Sequence, residues 1–172
     1  MFGAVAEFVG HWAETSDLRK SARGVCRALE GLGAASDDPA KIIKVAIEHA
    51  EAAIKANDTQ ALREAAELGW LAMCGVADVA AHRLERGAMG GFNARRAFLV
   101  DLTRAAGVRL GDVVGSLEAA RSVLHGDCFH SAKCEPARVL TTLEIVRDAV
   151  LQLDDLVARA QRRARKSARG RR

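Results

Sequence analysis

Apolar residues recur at intervals of three and four along most of this chain, which is the spacing of one face of an α-helix. A long stripe after Thr59 consists of Leu62, Ala65, Leu68, Ala72, Val76 and Val79. The most regular stripe follows Pro136 and consists of Val139, Leu143, Val146, Val150, Leu153 and Val157. These patterns predict long helices, the last of which forms a seam within a bundle or between two copies of the chain.

Capping and turn residues predict where each helix begins and ends. The first helix is predicted over Phe2 to Ala13, and Thr15, Ser16 and Asp17 suit the cap of a second helix that ends at Gly31. Pro39 suits the first turn of a third helix, and the turn 57–59 leads into a fourth that ends near Arg86. Gly69 and Gly75 inside the fourth helix predict a close approach of another helix.

The second half of the chain is predicted to contain a glycine-rich loop and three further helical elements. Residues 87–91 form the loop, and Asn93 caps a short helix that turns Phe98 and Leu102 inward. After Gly107, a stripe from Leu110 to Leu124 predicts the next helix, and a polar loop then leads to the helix that begins at Pro136. We expect three regions: 1–38, helices that pack on or link to the bundle; 39–158, the helical bundle; and 159–172, a basic tail that is a helical extension or disordered.

Composition agrees with this pattern. The 172 residues are 49% apolar and 28% charged, which is the balance of one globular domain. Aromatic residues make up only 4% of the chain and there are two prolines, so residues that favour strands or break helices are scarce. The sequence therefore predicts an all-α fold, an up-and-down bundle of about five to six helices.

Positive charge is concentrated at the carboxyl end. Eight basic residues and no acidic residue lie between positions 159 and 172: Arg159, Arg162, Arg163, Arg165, Lys166, Arg169, Arg171 and Arg172. The rest of the chain has 18 basic and 22 acidic residues, so its formal charge is −4 against +8 for the tail. The tail is predicted to bind nucleic acid through these eight residues; a solubilising tail, or an arm for an acidic protein, is the alternative.

Residues 1–16 lack the basic and apolar regions of a secretory signal, and no stretch has the length of a membrane span. We therefore expect a cytoplasmic protein without membrane contact. Its four cysteines are too scattered for a disulfide framework, so thiols are expected.

Four possible metal ligands, His125, Cys128, His130 and Cys134, lie within ten residues of each other. Their spacing matches no standard zinc knuckle, which favours a polar loop with Cys128 and Phe129 packed inward. Arg121 and His125 lie one helical turn apart, so an arginine that holds phosphate and a histidine that moves a proton could cleave RNA without metal. The alternative is that Arg121 is solvated or paired to Glu118. We predict no metal and no cofactor.

The residues from about Lys41 to Val157 resemble the HEPN superfamily, in particular its small stand-alone archaeal and bacterial branches. The likeness is carried by ALREAAELGWLA at 61–72, by LHGDCF at 124–129, and by the spacing of Val139, Leu143 and Val146. The resemblance implies a four-to-five-helix bundle, usually dimeric, that acts on or binds RNA in toxin–antitoxin, CRISPR and other defence systems. Active members carry an arginine separated by four to six residues from a histidine.

That arginine–histidine motif is absent, because three residues separate Arg121 from His125 and eight separate it from His130. We therefore predict a non-catalytic nucleic-acid-binding or nucleoprotein-complex module, with RNA favoured over DNA, that is a homo-oligomer or a subunit of a larger assembly. One alternative is a metal-independent ribonuclease toxin that uses Arg121 with His125 or His130. Another is a structural subunit that lines RNA or displaced DNA in a CRISPR effector complex.

Overall fold

The computed structural model describes residues 16–33, 38–87 and 89–169. All regular structure in these residues is helical, which confirms the all-α bundle. The helices are α1 (Ser16–Leu32), α2 (Pro39–Ala56), α3 (Thr59–Arg83), α4 (Gly91–Ala106), α5 (Leu110–Ala119), which continues as a π-helix (Ala120–His130), and α6 (Pro136–Arg169). The helix predicted over Phe2 to Ala13 and most of the linker after Gly33 lie outside the described residues.

Short polar side chains cap the start of α2 and define the turn between α2 and α3. The Asp38 carboxylate accepts a bond from the Ala40 amide at 2.9 Å, and Pro39 occupies the first turn of α2. Asn57 ends α2 in the left-handed region with φ of 52°, and the Asp58 carboxylate accepts from the Ala61 amide at 3.0 Å. These bonds satisfy amides that the first turn of a helix leaves without a backbone partner.

Helix α3 is the centre of the bundle and contacts every other described helix. The predicted close approach at Gly69 is confirmed, because a Cβ there would collide with Leu143 of α6 and lie 2.9 Å from Leu124 of the π-helix. Gly75 faces Pro39, 3.4 Å from where its Cβ would be. The small residues therefore let two helices pack directly on the backbone of α3.

The predicted seam of α6 is confirmed as an apolar stripe, but it is covered within one chain. All six of its residues, from Val139 to Val157, are buried in the single chain, and Leu143 is fully inaccessible. The stripe therefore belongs to the intramolecular core, and it no longer supports the expectation of an oligomer. Helix α1 also joins this core through Leu18, Val25 and Leu29, so it packs on the bundle.

Candidate functional site

The segment Ala120–His130 is a π-helix, in which backbone amides bond to carbonyls five residues earlier. The turn ends with the Ser131 amide donating to the Gly126 carbonyl at 3.1 Å. We predicted a polar loop after Leu124, and this was wrong, because the helix continues to His130. The wider winding turns Leu124, Cys128 and Phe129 all toward the core. The inward packing of Cys128 and Phe129 is thereby confirmed.

The π winding brings two histidines together. Residues five apart in sequence differ by about 140° around an α-helix, so they would face different sides. In the π-helix they are one hydrogen-bonded turn apart, and the Nε2 atoms of His125 and His130 are 3.2 Å from each other. The ring centroids are 4.4 Å apart and the rings are nearly perpendicular.

A buried carboxylate holds the first of these histidines. Glu67 of α3 is almost completely inaccessible, and its Oε2 lies 2.8 Å from Nδ1 of His125. An ionised carboxylate only accepts hydrogen bonds, so ionised Glu67 keeps the proton of His125 on Nδ1. Nε2 of His125 is then the atom that faces His130. We call Glu67, His125 and His130 the histidine cluster.

Burial perturbs both ends of the histidine cluster. It raises the pKa of Glu67, and the hydrogen bond and the charge of His125 oppose this effect. It lowers the pKa of His130, and the positive charges of His125 and Arg63 act in the same direction. His130 is therefore held in its neutral form at neutral pH, in which one ring nitrogen has a lone pair.

Aromatic rings surround the histidine cluster. Trp70 stacks on the His125 ring at a centroid distance of 5.2 Å, and Phe129 stacks on it at 6.2 Å. The indole Nε1 of Trp70 is buried and has no hydrogen-bond partner within the part of the chain that the structure describes. The cluster therefore combines ionisable groups with aromatic neighbours.

Arg121 lies near these rings, and within the part of the chain that the structure describes it makes no hydrogen bond to either histidine. Its guanidinium is 4.0 Å from the centroid of the Phe92 ring, and Phe92 is 6.4 Å from Trp70. The alternative pairing with Glu118 is wrong, because Glu118 accepts from Arg96 at 2.7 Å instead. Of the predicted catalytic residues, the structure therefore joins His125 to His130 and leaves Arg121 exposed on an aromatic ring.

The sequence analysis did not single out two buried charged side chains near the cluster, Glu67 and Arg63. Arg63 is buried, and its Nε and Nη2 donate to the Phe129 carbonyl at 3.1 and 2.6 Å. The two residues lie one turn apart on α3, and the next charged residue is Asp78. A charged pair at the edge of such a long uncharged run is the signal that could have identified them.

The cysteines contradict the expectation of four thiols. Cys128 and Cys134 form a disulfide, because the turn through Ala132, with φ of 54°, brings the start of α6 back against the π-helix. Their sulfurs are thereby removed from the four-ligand set considered above. In the described ranges no group of three potential metal ligands is assembled. Cys74 is a buried thiol whose pKa burial raises to about 12, and Cys26 is half-buried.

The carboxyl end of α6 is a different kind of region. The helix continues to Arg169, and all six residues from Gln161 to Lys166 are exposed. Four of these six are basic and none is acidic. We call residues 159–169 the basic arm. The side chain of Arg169 and the residues Arg171 and Arg172 lie outside the described part of the chain.

Only the first basic residues of the arm have acidic partners among the described residues. Arg159 pairs with Asp155 at 2.7 Å, and Arg162 reaches the same carboxylate at 3.9 Å. Such exposed pairs contribute little, about 0–1 kcal/mol, and exchange readily with other anions. The Arg163 guanidinium lies against Gly107. The described part of the arm therefore presents several cations to solvent.

The histidine cluster and the basic arm lie at opposite ends of the bundle. Arg138, at the start of α6, donates to Asp127 of the π-helix at 3.0 Å, so this end of α6 adjoins the cluster. Arg162 follows 24 residues later. A helix rises 1.5 Å per residue, which separates the two regions by about 36 Å. A nucleic-acid strand bound by the basic arm therefore reaches the histidine cluster of the same chain only if it runs along the length of the bundle.

None of the described helices is long and apolar enough to cross a membrane. Comparisons with protein-family models, with curated protein sequences and with solved structures returned no match. The functional argument below consequently rests on the residues and geometry of this chain.

Proposed function

We propose that this protein is a non-catalytic module that binds single-stranded nucleic acid through its basic arm. The observation that carries the proposal is that all six residues from Gln161 to Lys166 are exposed, with four basic residues and no acidic residue among them. Phosphate backbones attract such a charge cluster strongly, and the body of the chain, at −4, directs that attraction to one end.

The helical conformation adds order to this charge. Residues spaced by three, four and seven positions lie on one side of a helix, so the backbone places Arg159, Arg162, Lys166 and Arg169 along one stripe. Ala160, by contrast, is buried on the bundle side. A stripe of cations can follow successive phosphates of one strand, whereas it carries little information about base sequence.

Few aromatic residues are present in the chain, and none lies in residues 130–172, so stacking on bases contributes little. We therefore expect weak preference among sequences. The preference for RNA over DNA, and a setting in a toxin–antitoxin or CRISPR-associated defence system, rest on the HEPN resemblance alone. A subunit that lines RNA or displaced DNA in an effector complex would use the same arm.

The salt dependence of binding tests the proposal. If half to three-quarters of the eight tail charges meet phosphates, the slope of log affinity against log salt for a single strand should be about −3 to −4. Fluorescence anisotropy of labelled RNA and DNA oligonucleotides measures this slope. Deletion of residues 162–172 should abolish most of the binding and leave the circular dichroism of the bundle unchanged.

A charge-matched variant separates the arm from net charge. Replacement of Arg162, Arg163, Arg165 and Lys166 by glutamine should reduce the slope to near that of the deletion. Replacement by glutamine of four exposed basic residues elsewhere, namely Arg23, Arg27, Lys41 and Lys44, removes the same charge and should leave most of the affinity for nucleic acid. Equal losses of affinity in the two glutamine variants would refute binding through the basic arm. Unchanged binding by the protein that lacks residues 162–172 would refute it as well.

Metal-independent cleavage of RNA is the second candidate function. The observation that favours it is the contact between His125 and His130, with Arg121 one turn earlier on the same helix. Incubation of labelled RNA with the protein and a chelator tests it. Cleavage that disappears in both His130→Gln and Arg121→Gln would support a ribonuclease, and intact RNA would leave the protein as a binding module.

A further inference from the structure

We propose that Arg159 and Arg162 form a subsite for one phosphate group of a bound strand, and that the Asp155 carboxylate occupies this subsite until the strand displaces it. The proposal rests on the proposed function, because it describes how the basic arm receives a strand. Its evidence is the convergence of two guanidinium groups on one carboxylate, the exposure of all three side chains, and the different partner of the neighbouring Asp154.

Two arginines of the basic arm converge on one anionic group. Nε of Arg159 lies 2.7 Å from Oδ2 of Asp155, and Nη2 of Arg162 lies 3.9 Å from Oδ1 of the same carboxylate. Arginine binds carboxylates and phosphates with the same planar set of N–H donors. The Asp155 carboxylate therefore lies at a position where a phosphate group could bridge the two arginines.

All three side chains of this subsite are open to solvent. The exposed fractions are 57% for Asp155, 50% for Arg159 and 62% for Arg162. Asp155 precedes Arg159 by four residues and Arg162 by seven, so all three lie on one side of α6. The subsite is therefore the first position of the stripe of cations along which we propose that the strand runs.

The preceding acidic residue faces a different part of the molecule. Asp154 accepts a hydrogen bond from Arg83, the last residue of α3. One residue further along, about 100° around the helix, Asp155 faces the basic arm instead. In the described ranges, Asp155 is the only carboxylate that forms ion pairs with residues of the arm.

A carboxylate within the subsite makes the subsite selective for a polymer. Asp155 is attached to the same helix as the two arginines, so its effective concentration there is high and a free phosphate ion displaces it poorly. A strand that is already held by cations further along the arm is also present at high local concentration. An exposed ion pair is weak, so such a strand displaces Asp155. Asp155 therefore discriminates against free phosphate and mononucleotides.

The variant Asp155→Asn tests the proposal. It removes the competing charge, so the affinity for a labelled oligonucleotide should rise by about two- to fivefold, the range expected for an exposed ion pair. Asp148→Asn is the matched control, because Asp148 is exposed on the same side of α6 and pairs with Arg147 at 3.5 Å. Asp148 is about 16 Å from Arg159 along the helix, beyond the Debye length of about 8 Å. This control should leave the affinity nearly unchanged, and fluorescence anisotropy measures both variants.

Two further measurements separate competition from a change in net charge. In a protein that carries Arg159→Gln and Arg162→Gln, Asp155→Asn should no longer raise the affinity, because the subsite is absent. In NMR spectra of the parent protein, the side-chain carboxyl resonance of Asp155 should shift when an oligonucleotide is added. Inorganic phosphate at the same phosphate concentration should leave this resonance in place.

The outcomes distinguish this inference from the proposed function. If the parent protein binds no strand, or if deletion of residues 162–172 leaves binding unchanged, both are refuted. If a strand binds through the arm but Asp155→Asn raises the affinity no more than Asp148→Asn, only the competing role of Asp155 is refuted. An Asp155 resonance that stays in place at saturation with oligonucleotide refutes that role as well.

Discussion

The two ends of the bundle use charged residues in opposite ways. At the π-helix end, Arg63 and Glu67 are buried and each has one defined partner, the Phe129 carbonyl and the His125 ring. In the basic arm, all six residues from Gln161 to Lys166 are exposed. A charged residue at the π-helix end therefore stabilises the fold through one specific hydrogen bond. The charges of the basic arm instead act together, as a positive electrostatic potential that attracts a polyanion from solution.

This difference predicts how each end responds to mutation. A buried polar group that loses its partner keeps the cost of its desolvation, so single substitutions at the π-helix end should be visible in the free energy of unfolding. Single substitutions in the arm should leave stability unchanged and alter only binding. The following experiments test the contrast.

The largest effect is expected in the core beneath the π-helix. Leu143 is fully buried and packs on Gly69, so Leu143→Ala should lower the free energy of unfolding by about 2–5 kcal/mol. Leu151 of the same helix is 71% exposed, and Leu151→Ala should change the free energy of unfolding by less than about 0.5 kcal/mol. Urea unfolding measures both values. Equal effects would contradict the burial of the seam within one chain.

The oligomeric state can be read from the same samples. Sedimentation of the parent protein at tens of micromolar reports whether it is monomeric. Because the seam is buried within one chain, there is no longer a reason to expect dimerisation through α6. If the parent protein were a dimer, and Leu143→Ala converted it into a folded monomer, the seam would lie between chains after all.

A smaller effect is expected for the buried arginine. Arg63→Met removes both donors from the Phe129 carbonyl and should lower the free energy of unfolding by about 1–3 kcal/mol. Arg165→Met makes the same chemical change in the basic arm and should have no measurable effect on stability. Thermal or urea unfolding of the pair tests the contrast. A loss of stability at Arg165 as large as at Arg63 would refute the proposed difference between the ends.

The histidine cluster should also make stability depend on pH. The pKa of His130 is below its usual 6.5 in the folded protein, so the unfolded chain holds more protons between these two values. The contribution of neutral His130 to stability is therefore fully present above pH 6.5, and it is lost as the pH falls from 6.5 toward the lower pKa that His130 has in the folded protein. In a chelator, His130→Gln should lose less stability than the parent on acidification. Identical pH profiles would contradict the burial of His130.

The smallest effect concerns chemical reactivity of the thiols. Burial raises the pKa of Cys74 to about 12, so its thiolate fraction is negligible at neutral pH, and alkylation should be far slower than at half-buried Cys26. Cys128 and Cys134 should label only after reduction, because they form a disulfide. Mass spectrometry of alkylated peptides distinguishes these cases. Labelling of Cys134 without a reductant would exclude the disulfide.

Most of the fold could be predicted from the sequence because it depends on local rules. The spacing of Val139 to Val157 defined the buried face of α6. Pro39 marked the start of α2, and Asn57 and Asp58 marked the turn between α2 and α3. Gly69 indicated the close approach of another helix. Each signal is contained in residues within a few turns of one another, where periodicity, caps and glycine act.

The histidine cluster could not be predicted in the same way. Glu67 and His125 are 58 residues apart, and no local rule joins them. The contact between His125 and His130 depends on π winding, in which Leu124, Cys128 and Phe129 are all buried. The sequence alone therefore determined the helices, the apolar stripes and the basic arm, since these follow from spacing and composition. Only the tertiary structure decided which buried polar groups meet, because desolvation forces each of them to find a partner on another element.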